Sequence, residues 1–115
     1  MLEIDSNNNI TLTRGDNASI EVSLYNPDGT TYTLQTGDVL LFTVKYNCIT
    51  ENIIFQKDIS SNAIINITPA DTNNLLYGVY YYDVQLTKAN EEINTVIPPR
   101  NFIIDQEVTF GNGTD

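Results

Sequence analysis

The feature that most limits what this chain can fold into is a period of two. Between clusters of Asp, Asn, Gly and Pro that recur roughly every eight to twelve residues, apolar and polar side chains alternate along the sequence. Successive side chains of a strand point to opposite faces, so this pattern predicts strands with one packed face and one wet face. From Ala18 to Leu24, Ile20, Val22 and Leu24 share a face while Ser19, Glu21 and Ser23 share the other. From Val39 to Lys45 the shared apolar face is Leu40, Phe42 and Val44, which reads as a central strand. From Val79 to Thr87, Tyr80, Tyr82, Val84 and Leu86 form the set expected in the core, and Tyr81, Asp83, Gln85 and Thr87 the wet set.

The punctuation supplies the turns. In Asn26-Pro27-Asp28-Gly29, Pro presets φ and Gly accepts the positive φ that closes the loop, after which Thr31 to Leu34 is expected to return as a short strand. Gln35-Thr36-Gly37-Asp38 is a second turn, and Lys88-Ala89-Asn90-Glu91 a hairpin loop. Asn52 to Asp58 is expected as a strand with Ile53 and Phe55 on one side, and Asn62 to Thr68 as a strand carrying Ile65 and Ile67, with Ser60-Ser61 as the hairpin tip between them. Pro69 to Leu75 lacks alternation and opens on Pro, which fits a single helical turn. Ile93 to Ile97 pairs back, Pro98-Pro99 predicts a break, and Asn101 to Thr109 is the last expected strand. The expected fold is all-β: one immunoglobulin-like antiparallel β-sandwich domain of about eight strands in two sheets over residues 1–110, with 111–115 as a flexible tail. Tyr80, entering a late strand after a helical turn, is the expected tyrosine-corner hydroxyl. Tyr82 stands where an antibody domain has its second cysteine, so the expected likeness is one of architecture.

Charge and residue content narrow the function classes. The 115 residues carry 15 acidic and 5 basic side chains, a formal charge of −10. That balance repels phosphate backbones and anionic lipid heads, with only Arg14, Lys45, Lys57, Lys88 and Arg100 to oppose it, so no nucleic-acid partner and no membrane insertion are expected. The first residues lack the basic start and apolar run of a secretory signal, so synthesis in the cytoplasm is expected. Without histidine, and with Cys48 as the lone cysteine, the chain offers neither zinc ligands nor a Ser-His or Cys-His pair, and Cys48 reads as a small hydrophobe near a strand end. Glu91-Glu92 is the only adjacent pair of glutamates, and it falls in a solvated hairpin. No enzyme activity, metal or cofactor is therefore expected. Arg14-Gly15-Asp16 matches an integrin-binding tripeptide, but it lies between two strands where Gly and Asp make an ordinary turn.

What is left beyond the fold is aromatic. Tyr25, Tyr32, Tyr46, Tyr77 and Tyr81 fall at positions that leave rings partly exposed, able to anchor a protein interface or to stack on sugars. Tyr81, on the wet face between core rings and followed two residues later by Asp83, is the leading interface candidate, together with Asp83.

Three segments read together resemble a known family. Ile10-Thr11-Leu12-Thr13-Arg14-Gly15-Asp16, then Gly37-Asp38-Val39-Leu40, then Asp71-Thr72 with Tyr77-Gly78-Val79-Tyr80-Tyr81-Tyr82-Asp83-Val84-Gln85-Leu86 look like small phage and prophage proteins of Gram-positive bacteria. The pattern resembles the N-terminal domain of the baseplate upper protein family from about Ile10 to Val108. The resemblance implies a non-enzymatic, protein-binding domain of a virion tail or baseplate, with other tail proteins as partners and homo-oligomers a further expectation. Baseplate upper proteins continue into long trimerising C-terminal regions, whereas this sequence stops at Asp115. The alternative reading is a bacterial cell-surface adhesin or carbohydrate-binding module that uses the tyrosines.

Overall fold

The computed structural model describes residues 2–47, 49 and 52–106. The described elements are β1 (Leu2–Ile4), β2 (Ile10–Thr13), β3 (Ala18–Glu21), β4 (Val39–Lys45), β5 (Ile53–Asp58), β6 (Ile64–Ile67), a short helix α1 (Pro69–Thr72), β7 (Gly78–Thr87) and β8 (Ile93–Asp105). The fold is all-β and sandwich-like. A six-stranded sheet runs in the order β1-β2-β8-β7-β4-β5, and a two-stranded sheet pairs β3 with β6.

The alternation explains the packing. In β4, Leu40, Phe42 and Val44 are buried, and opposite them on β7 stand Leu86, Val84 and Tyr82, also buried. Val22, Leu24, Ile65 and Ile67, from β6 and the continuation of β3, close the same core from the other side. Phe42 is its aromatic centre, with ring centroids 5.5 Å from Tyr82, 5.9 Å from Phe55 and 6.2 Å from Phe102. The helical turn expected at Pro69 is present. Asp71 accepts from the Thr68 backbone N–H at 2.8 Å, and its carboxylate pairs with Lys57 Nζ at 2.8 Å, which ties the turn to β5.

Several expectations are corrected by the pairing. The large sheet is mixed, because β2 runs parallel to β8 with Ile10 opposite Phe102 and Thr13 opposite Asp105. Ser60-Ser61 is not a hairpin tip: β5 pairs with β4 and β6 with β3, so the chain changes sheets there. The Ser60 hydroxyl holds the crossing by accepting from the Leu40 N–H at 2.9 Å. Pro98-Pro99 falls inside β8 without ending it, because β2 pairs only with Phe102 to Asp105 and leaves the prolines on an unpaired edge. The pairing with β7 shifts register at this point. Thr31 to Leu34 forms only an isolated bridge, Thr31 to Tyr25, although Tyr32 and Leu34 still face inward. A bulge between Val44 and Lys45 moves Ile53 outward, at 48% exposure, and packs Ile54 beside Phe55, so Ile53 and Phe55 do not share a face. Cys48, the end of the expected last strand beyond Gln106 and the expected tail 111–115 lie outside the described residues.

Candidate functional site

The leading sequence candidates stand on the outer face of the six-stranded sheet. In the β4–β7 ladder Leu41 faces Gln85, Thr43 faces Asp83 and Lys45 faces Tyr81. Because their neighbours in sequence point into the core, these six side chains share the outward face. Gln56 on β5 adds to it and donates from its amide to the Thr43 hydroxyl at 2.9 Å. The surface is concave, a groove of about 280 Å³ that Thr43, Lys45, Gln56, Tyr81 and Asp83 line and that Ile53 and Pro99 rim. Its shape follows from the two irregularities already described. The β4–β5 bulge raises Ile53, and the register shift in β8 pairs Tyr82 with Arg100 and Val84 with Ile97, so Asp83 has no residue opposite it on β8.

Asp83 and Tyr81 are both half-buried. Burial pushes the Asp83 carboxyl up from its ordinary value, and the positive charge of Lys45 offsets part of that rise. Among the described residues, no N–H or O–H donates to Asp83.

The neighbouring tyrosines do different work. Tyr80 is buried and donates its hydroxyl to the Leu76 carbonyl at 2.7 Å, fixing the segment that leads from α1 into β7. Tyr46 packs on it with ring centroids 5.3 Å apart. Tyr82 donates to the Asn8 carbonyl at 2.5 Å, and burial pushes its phenol up to about 12. The exposed rings do not form one row. Tyr77 lies under the Arg14 guanidinium at 4.4 Å and Tyr32 under Lys88 at 4.9 Å, while Tyr25 lines a separate depression with Tyr32.

The other motifs resolve into structure. Arg14 donates from Nη1 to the Leu75 carbonyl at 3.2 Å, Gly15 takes φ +85° and donates its N–H to Thr72 Oγ1 at 2.9 Å, and Asp16 donates its N–H to the Thr13 carbonyl at 3.1 Å. The triplet thus latches the β2–β3 turn to α1. Glu92 is bound to Lys88 and Asn94 at the hairpin surface. Among the described residues, no three of His, Cys, Asp or Glu come together as a metal site, and no helix is long and apolar enough to cross a membrane.

One buried group escaped the sequence reading. Asp38 is 8% exposed and accepts from the Tyr32 hydroxyl at 2.5 Å, the Gln35 N–H at 2.8 Å and the Ala89 N–H at 3.1 Å. Its carboxyl is held below the ordinary value, chiefly by the Tyr32 hydroxyl. The signal was local: an acid closing a turn that begins three residues earlier is placed to take that turn's N–H. Comparison of the chain with family models, with curated proteins and with solved structures returned no match.

Proposed function

We propose that this chain is a non-enzymatic, protein-binding domain of a phage or prophage tail or baseplate, which docks neighbouring tail proteins through the outer face of its six-stranded sheet. The observation that carries the docking surface is the division of labour along β7. Tyr80 and Tyr82 spend their rings and hydroxyls on the fold, whereas Tyr81 and Asp83 sit side by side in an open groove and hold nothing in place. A ring beside an unserved carboxylate is the chemistry of an interface anchor. The tail context rests on the sequence resemblance. The net charge of −10 adds long-range steering toward basic partner surfaces.

The finer reading of the fold, an immunoglobulin-like sandwich, is supported by strand order. β5-β4-β7-β8 follows the C′-C-F-G order of such domains, β3-β6 follows B-E, and the Tyr80 hydroxyl bonds back to a carbonyl four residues upstream.

The test is immunogold electron microscopy with an antibody raised against the domain, applied to particles induced from the source strain. Label at the tail end of particles is the expected result. Label on cell surfaces without particles would overturn it and favour the adhesin reading, which a glycan array would then pursue.

A further inference from the structure

Asp83 differs from the other aspartates whose surroundings perturb them. Asp5, Asp28, Asp38, Asp58 and Asp71 each accept at least two hydrogen bonds, mostly from N–H and O–H groups of their own turn or cap. Asp83 sits in mid-strand, away from the turn and cap donors that serve those aspartates, and no residue of β8 stands opposite it. Lys45 stands opposite Tyr81, not Asp83, and lies beyond ion-pair distance of the carboxylate. The groove therefore holds a partly desolvated carboxylate two residues from an aromatic ring on the same face, with the side-chain amides of Gln56 and Gln85 beside them.

We propose that this groove receives an arginine side chain of a partner protein, with two guanidinium N–H groups on the Asp83 carboxylate and the guanidinium plane over the Tyr81 ring. The proposal rests on the reading of this face as the docking surface and names the chemistry that occupies it. A guanidinium supplies what Asp83 lacks, a planar pair of donors carrying a positive charge, and its flat face suits a phenol ring. The Gln56 and Gln85 amide oxygens can accept its remaining N–H groups. The same chain already joins cations to tyrosines this way, with Arg14 at 4.4 Å over Tyr77 and Lys88 at 4.9 Å over Tyr32. The excess of 15 acidic over 5 basic side chains selects for a basic partner segment.

The experiment is a backbone-amide NMR titration of the whole chain with Nα-acetyl-arginine methylamide, its lysine counterpart, and glucose. Saturable shifts confined to β4, β5 and β7 with the arginine probe, and weaker ones with lysine, are expected. Asp83→Asn should raise the arginine dissociation constant by about tenfold or more, since a charge-assisted pair becomes a neutral one. Tyr81→Leu should raise it by a smaller factor, on the order of threefold. Equal response to lysine, or an unchanged constant in Asp83→Asn with its spectrum still folded, would overturn the guanidinium assignment. Glucose shifting the same residues without arginine doing so would overturn it in favour of a saccharide. If the arginine probe fails while the antibody still labels tail particles, only this inference falls; if both fail, the docking reading falls with it.

Discussion

Replacing Tyr82 by Phe separates two contributions of one hydroxyl, and pH sets their balance. The ring is 3% exposed and packs against Phe42 and Phe102, so the substitution leaves the core filled. At neutral pH the variant loses the bond from the phenol to the Asn8 carbonyl, worth about 1 kcal/mol. At high pH the sign reverses. Burial raises the folded phenol from 10.0 to about 12, so its neutral form contributes stability that is complete below the unfolded value and is lost as pH rises through the folded one. That two-unit gap removes about 1.4 kcal/mol from the wild type by pH 11 and about 2.3 kcal/mol by pH 12, and phenylalanine loses none of it. Urea unfolding of both proteins at matched pH should therefore show the wild type ahead by about 1 kcal/mol at pH 7, parity between about pH 10 and 11, and the variant ahead beyond it. A stability difference that stays flat from pH 8 to 12 would refute the burial argument for Tyr82.

Three further outcomes follow from the packing. Leu40→Asp places an unpaired charge at a fully buried core position and should abolish cooperative unfolding, whereas a soluble variant with a sharp urea transition would refute the register of β4. Gly37→Ala should cost more than the about 1 to 2 kcal/mol of a positive φ, because the new Cβ would stand 2.9 Å from the Ala89 Cβ; adding Ala89→Gly should recover the contact part only, and full recovery or none would each refute one half of that account. Asp38→Asn should flatten the acid limb of the stability curve: the folded carboxyl is depressed, so its contribution is present above the ordinary value and lost as pH falls through the depressed one, and an unchanged limb would contradict the three-donor cage.

The outward or inward facing of β4 and β7 was legible because each runs long enough for the alternation to repeat, and burial follows it residue by residue. The same rule placed Tyr81 and Asp83 on the wet face. Local alternation does not say which strands pair, so the change of sheet at Ser60 and the parallel β2–β8 ladder were not readable. Nor does it register a bulge, which inserts one residue and exchanges the faces of Ile53 and Ile54. β1 escaped because three residues cannot display a period, although Asp5, whose carboxylate accepts the Asn7 and Asn9 N–H groups at 2.8 and 2.9 Å, and Asn8 at φ +64° carry the signature of the turn that follows it. The groove itself arises from two such irregularities, which is why Tyr81 and Asp83 were predictable while Ile53, Pro99 and the concavity were not.

The most direct test of the docking face compares incorporation of two proteins into tail particles: the wild-type chain, and a Tyr81→Ala, Asp83→Asn double variant. Each is expressed in a strain lacking its own copy and quantified in purified particles by mass spectrometry, with urea unfolding run alongside. The wild type should be present in fixed ratio to the tail proteins, and the double variant should unfold cooperatively yet be depleted from particles. A folded double variant incorporated as well as the wild type would contradict the account.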